Sequence, residues 1–183
     1  AALEMVGKSI LPAVLDADDT EARSNMAMAA TFAGVGFGNA GVHLPHGMSY
    51  PVSGLVKEYT PEGYPEAHPI VPHGMAVILN APAVFRYTAS SNPERHMRAA
   101  RLLGADVTGA GPEDAGDLIA ERLIQIIKEI GVPNGLGGVG YAADDVPRLV
   151  EGTLPQHRVT KLAPRPTGAD ELTELFKDSM KLW

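Results

Sequence analysis

Two short stretches of this chain, Pro45-His46-Gly47-Met48 and Pro72-His73-Gly74-Met75, repeat one unit: an imidazole held between a proline and a glycine. Neutral imidazole is a good ligand for divalent transition metals, and two of them on neighbouring segments could meet at one ion. Proline fixes the backbone ahead of each ring, and glycine leaves space behind it for a substrate bound at a metal. The same residues also fit a plainer reading, two helix starts with a polar group at the cap. His43 lies three positions before His46, a spacing that on a helix puts both rings on one face. Two imidazoles are an incomplete set, because a bound divalent cation usually takes at least three protein ligands. The chain has no cysteine, so thiolate ligands, disulfides and a cysteine nucleophile are excluded. The other histidines read as surface residues: His96 and His157 among charges, His68 in a proline-rich loop.

Other motifs offer less. The run Gly34-Val35-Gly36-Phe37-Gly38-Asn39-Ala40-Gly41 invites a dinucleotide-loop reading, but that loop needs a strand before it and a helix start after it. Here the glycines fall within a helical pattern. Close packing against another helix is the expected role of Gly34 and Gly38, with Ala30 on the same ridge. Gly135-Leu136-Gly137-Gly138-Val139-Gly140 fails the same test and reads as a helix-to-helix loop. Asp18-Asp19 and Asp144-Asp145 sit where helices begin, where carboxylates favour the dipole and serve as caps. Ser24 and Ser90-Ser91 lack the G-x-S-x-G turn of a hydrolase nucleophile.

The elements that must position these residues read as helix throughout. A first helix spans residues 3–15, with a break or kink expected at Pro12. A second runs from about 21 to 40, with Met26, Ala29, Ala33, Phe37 and Ala40 as its inner face. Residues 43–59 are interrupted by Pro45 and Pro51, and residues 60–72 form an irregular loop. An apolar helix over 73–89, bent at Pro82, carries His73 at its start. Asn92-Pro93-Glu94 opens a helix that stops at Gly104, and Pro112-Glu113-Asp114 opens another to Ile130. The inner face of the latter is Ile119, Leu123, Ile126, Ile127 and Ile130. A helix over about 143–154 and a last one follow. The last is opened by Thr167 with Asp170 as a capping box, and buries Leu172, Leu175, Phe176, Met180 and Trp183. The expected fold is an all-α bundle.

Composition bounds the function. Charged residues are 20% and hydrophobic residues 45% of 183, ordinary globular usage that argues against wholesale disorder. A net charge of −7, with the basic residues scattered among acids, argues against a nucleic-acid partner. No apolar run approaches a membrane span. A cytoplasmic protein is expected, or one of the mitochondrial matrix in a eukaryote. Ala1-Ala2-Leu3-Glu4 reads as the middle of a helix, which points to a piece of something longer.

Taken together, Asn39-Ala40-Gly41, His46-Gly47-Met48 and Pro72-His73-Gly74 leading an apolar helix resemble the C-terminal domain of the iron-containing (group III) alcohol dehydrogenases. Glu21-Ala22-Arg23-Ser24-Asn25-Met26 and Leu102-Leu103-Gly104-Ala105-Asp106 extend the likeness. The tail, residues 152–164, is most similar to the hydroxyacid–oxoacid transhydrogenase branch. The resemblance implies a dehydroquinate synthase-like helical bundle over residues 1–183, without the family's nucleotide-binding α/β domain. It implies an Fe²⁺ ion (or Zn²⁺) held in part by His46 and His73, with an Asp-x-x-x-His pair completing the set. No aspartate of this chain has a histidine four positions on. His43 becomes a supporting residue, and Tyr50 stands where many members carry a second histidine. A tyrosine cannot cycle its proton near neutral pH as readily as histidine, but it can donate a hydrogen bond to a substrate oxygen.

The implied reaction uses NAD in the full-length enzyme, with 4-hydroxybutyrate as donor and 2-oxoglutarate as acceptor. The 183 residues alone are expected to show little activity and weak metal affinity, and an exposed apolar face that allows self-association. The alternative of another class is a non-catalytic helical scaffold of the same ancestry. A lyase of the dehydroquinate-synthase kind, with Zn²⁺ and a Glu-rich ligand set, is a third.

Overall fold

The computed structural model describes residues 1–64 and 68–183. Among them every regular element is helical, as expected: α1 (Ala2–Leu15), α2 (Thr20–Ala40), α3 (Leu44–Gly54), α4 (His73–Thr88), α5 (Pro93–Leu102), α6 (Ala115–Glu129), α7 (Val146–Thr153), α8 (His157–Thr160) and α9 (Ala169–Ser179), with short 3₁₀ turns between. The loop expected over 60–72 includes residues 65–67, which lie outside the described residues.

The caps are written in the sequence. Asp19 accepts from the Ala22 amide at 2.8 Å to start α2, and Asn92 accepts from Arg95 at 3.0 Å to start α5. Gly104, at φ +95, closes the turn after α5 in a conformation that side chains resist. The last cap falls one residue later than expected. Glu171 accepts from the Gly168 amide at 2.7 Å, while the Thr167 hydroxyl turns back to the Arg165 carbonyl.

α4 is the central element. It packs on α3, α6 and α9 and contributes to both apolar clusters. Leu79, Ala83 and Val84 join Leu44, Met48, Leu149 and Phe176 on one side. Ala81 joins Leu103, Ile119, Leu123 and Ile126 on the other. Full burial of a Leu, Met or Phe side chain stabilises by about 1.5–3 kcal/mol, so the helix carrying His73 is held from two sides. Proline does not break these helices. α1 runs through Pro12, α3 through Pro51 and α4 through Pro82, because flanking packing outweighs the lost backbone bond.

Three expectations are corrected. Phe37 and Ala40 of the expected inner face of α2 are exposed, and burial on that helix is confined to Ala22 and Ala29. The glycine ridge makes no close packing: a Cβ at Gly34, Gly36 or Gly38 would meet nothing within 4 Å among the described residues. α2 leans on α1 and leaves its far half, with Phe32, Val35 and Phe37, uncovered. Trp183 is not buried but 37% exposed, because the chain end lies along Asn134, whose side chain accepts from the Leu182 amide.

Candidate metal centre

α3 opens with Pro45 in its first turn, and His46 and Gly47 both donate their amides to the His43 carbonyl. Leu44, Met48 and Val52, fully buried on one face, seat this helix in the core. Its far end is tied by the Tyr141 hydroxyl, which donates to the Val52 carbonyl at 2.6 Å. Burial and the nearby Asp145 carboxylate push the Tyr141 phenol up to about 12, so it stays a donor at all ordinary pH. The Ser53 hydroxyl donates to the Val71 carbonyl at 3.1 Å, tying α3 to the strap that leads into His73.

These ties bring the two sequence-predicted ligands together. The His46 and His73 rings lie 5.4 Å apart between centroids, tilted by 60°. Two imidazoles that each approach one ion at about 2.1 Å hold their ring centres on the order of 5 Å apart. Burial first, and His73 second, hold the His46 imidazole below the ordinary histidine range, so its lone pair is free near neutral pH. The donor set therefore fits a divalent transition metal as far as it goes. Among the described residues no cluster of three or more His, Asp, Glu or Cys forms.

Tyr50, one helical turn after His46, stacks on His73 with centroids 6.2 Å apart and planes 19° from parallel. Beyond it stands a residue that the sequence reading passed over. The Arg158 guanidinium donates from Nη2 to the Tyr50 hydroxyl at 3.4 Å. The two residues are 108 positions apart, and no local pattern signals the meeting.

His43 does not join the pair. It is the N-cap of α3, and its ring meets the edge of Phe85 at 6.5 Å. Its Nδ1 is buried with no partner among the described residues, and burial holds this imidazole too below the ordinary range. His96 is corrected from a surface residue to a half-buried one. It lies 6.0 Å from the same Phe85 ring and 3.1 Å from the Thr88 hydroxyl. Both line an apolar groove of about 560 Å³ that runs past Val6, Ile78 and Leu123 and ends at His46. His68 and His157 are exposed, as expected.

The role expected for the glycines divides. A Cβ on Gly47 would stand 2.9 Å from the Thr160 methyl and 3.4 Å from Val159, so the space beside His46 is filled by α8 and is not open to a substrate. A Cβ on Gly74 would meet nothing within 4 Å.

The model of the Fe-containing alcohol dehydrogenase family, C-terminal, matches residues 1–180, and the chain belongs to that family. The family is named for its iron, and its members in general use a nicotinamide nucleotide. Among curated relatives, the mitochondrial hydroxyacid-oxoacid transhydrogenase of Homo sapiens is 54% identical over 182 residues, covering 100% of this chain and 39% of its own length. That of Bos taurus is 53% identical with the same coverage. The crystal structure of a 1,3-propanediol oxidoreductase shares the fold at a TM-score of 0.84, with 27% identity over 97% of this chain and 43% of that one. The chain thus spans about two fifths of the length of the relatives it matches. No helix among the described residues is long and apolar enough to cross a membrane.

Proposed function

We propose that residues 1–183 are one α-helical domain, the metal-holding part of a longer enzyme that moves hydride between hydroxy and oxo acids through a nicotinamide nucleotide. The observation that carries this reading is the His46–His73 imidazole pair with Tyr50 stacked against it, in a chain 54% identical to a hydroxyacid-oxoacid transhydrogenase. When bound, Fe²⁺ (or Zn²⁺) supplies Lewis acidity toward a substrate oxygen.

The chain's own residues supply the setting. His46 and His73 would hold the ion, and burial keeps His46 from competing for a proton. Tyr50 donates a hydrogen bond to the substrate oxygen and fixes that oxygen's direction. The remaining ligands and the nucleotide-binding α/β domain come from the part of the parent outside these 183 residues. The apolar groove that ends at His46 and the bare face of α2 are where that part packs. The mitochondrial relatives favour the matrix as the compartment if the source is eukaryotic.

The donor proposed is 4-hydroxybutyrate and the acceptor 2-oxoglutarate. One hydride and one proton leave the donor's carbinol to give succinic semialdehyde, and the same equivalents reach the acceptor's keto group to give 2-hydroxyglutarate. The nucleotide is recycled in place. The test is expression of the full reading frame, with upstream sequence, and incubation with both acids and a trace of nucleotide. Equal amounts of the two products are expected. A protein that oxidises simple alcohols with free NAD and exchanges nothing between acids would contradict the proposal. An upstream frame without a nucleotide domain would favour the scaffold alternative.

A further inference from the structure

We propose that Arg158 is the residue that grips the substrate's carboxylate and so sets the preference for hydroxy and oxo acids over neutral alcohols; the inference rests on the hydride-transfer reading above. Arg158 lies on α8, which is seated by buried Val159 and pressed against Gly47 through the Val159 and Thr160 methyls. The guanidinium is therefore carried by an element clamped directly onto the helix that bears His46 and Tyr50. It is exposed and spends one donor on the Tyr50 hydroxyl at a long 3.4 Å. A guanidinium has five donors, in a fork that matches a carboxylate.

Its charge also lacks an answer. The ion pairs among the described residues use Lys8, Lys57, Arg86 and Lys177, and none involves Arg158. Two other arginines are engaged: Arg165 donates to the Tyr87 carbonyl and lies over its ring, and Arg122 donates to Leu103 and Gln125. Arg148 lines a cleft with Tyr50, but in company with Glu151 and in the field of Asp145. Among the described residues Arg95 likewise forms no ion pair and lines the groove that includes His46, but Arg158 is the cation in hydrogen-bond contact with Tyr50, and among the described residues it has no carboxylate partner.

The order of contacts runs His46, His73, Tyr50, Arg158. An aromatic ring thus intervenes between the guanidinium and the imidazoles. A ligand that reaches both must carry its carboxylate some carbons away from its reacting oxygen. In 4-hydroxybutyrate a pair of methylenes separates the carboxylate from the carbinol carbon. In 2-oxoglutarate the same pair separates the distal carboxylate from the keto carbon. One arginine therefore serves both half-reactions, which is what an enzyme that alternates between two acids in one pocket requires. A 2-hydroxy acid with a single carboxylate, such as lactate, lacks that spacing.

The test uses the full-length enzyme as wild type, R158Q, R158K and R148Q. Steady-state kinetics are measured with 4-hydroxybutyrate and with 1-butanol, its neutral counterpart, and glutarate binding is measured by calorimetry. In R158Q the KM for 4-hydroxybutyrate rises by about 10- to 100-fold, the loss of one charge-assisted contact, with a smaller fall in kcat. The ratio of kcat/KM for the acid to that for the alcohol falls by about tenfold or more. Glutarate binding weakens in parallel, R158K restores part of both, and R148Q moves them by less than about threefold.

Equal losses for acid and alcohol in R158Q, or undiminished glutarate binding, overturn the assignment and leave Arg158 as a positioning residue for Tyr50. A wild type inactive on acid and alcohol alike overturns the hydride-transfer reading instead. In that case calorimetry decides Arg158 by itself: glutarate bound by wild type and lost in R158Q upholds it, and no binding by wild type overturns it.

Discussion

The two Pro-His-Gly-Met units are identical in sequence and opposite in circumstance. Pro45-His46-Gly47-Met48 lies within the first turns of α3, with Pro45, Gly47 and Met48 buried and His46 half-buried. Pro72-His73-Gly74-Met75 straddles the start of α4, with His73 and Gly74 exposed. Gly47 is small because α8 presses on it, and Gly74 faces open space. The first unit is thus a structural joint as well as a proposed ligand holder, and the second presents its proposed ligand on an exposed surface. A repeated motif need not repeat its physics.

The largest expected effect that separates them comes from the glycines. Gly47→Val places a branched side chain where even a Cβ stands 2.9 Å from Thr160, and overpacking of that kind costs about 1–3 kcal/mol. Gly74→Ala replaces a helical glycine in open space and stabilises by up to about 1 kcal/mol. Urea denaturation of the two variants measures the contrast, and equal losses would show that both units are packed alike.

A comparable effect on rate is expected at Tyr50, which bridges the two units by stacking on His73 from the helix of His46. Tyr50→Phe keeps the stacking ring and removes the donor, so kcat/KM falls by about 10- to 100-fold. If Tyr50 relayed protons as a histidine does, the pH–rate profile would lose a limb in this variant; the account expects the profile to keep its shape.

The smallest effect concerns pH. The His43 and His46 imidazoles are held below the ordinary histidine value of 6.5 by burial, then by neighbouring histidines. As pH falls through about 6.5, the unfolded chain takes up these protons before the native one does, so stability is full above that value and declines below it. The melting temperature should therefore drop between about pH 7.5 and 5.5, with a shallower slope in His43→Gln. A flat profile would place both rings in water.

The helices were legible because caps and apolar periodicity act locally: Asp19, Asn92 and the Ile119–Ile127 face all read correctly. Pro51, expected to interrupt its segment, misled because a proline's effect depends on the packing around it, which no window of sequence displays. The glycine ridge of α2 misled for a related reason, since small residues at helical spacing permit close packing without requiring it, and nothing among the described residues packs there. At the site, His46 and His73 were singled out because histidines are rare and the flanks of these two repeat, and the structure brings their rings together; Tyr50 was singled out only through the family resemblance. Arg158 stands within the tail that carries the branch resemblance, but nothing in that stretch marks it as a site residue, because its meaning comes from a contact 108 positions away.

The central claim is that His46 and His73 share one metal ion. X-ray absorption at the metal edge of the full-length protein counts imidazole ligands directly. The account predicts that His46→Gln and His73→Gln each lower that count by one against wild type. An unchanged count in both variants would contradict it.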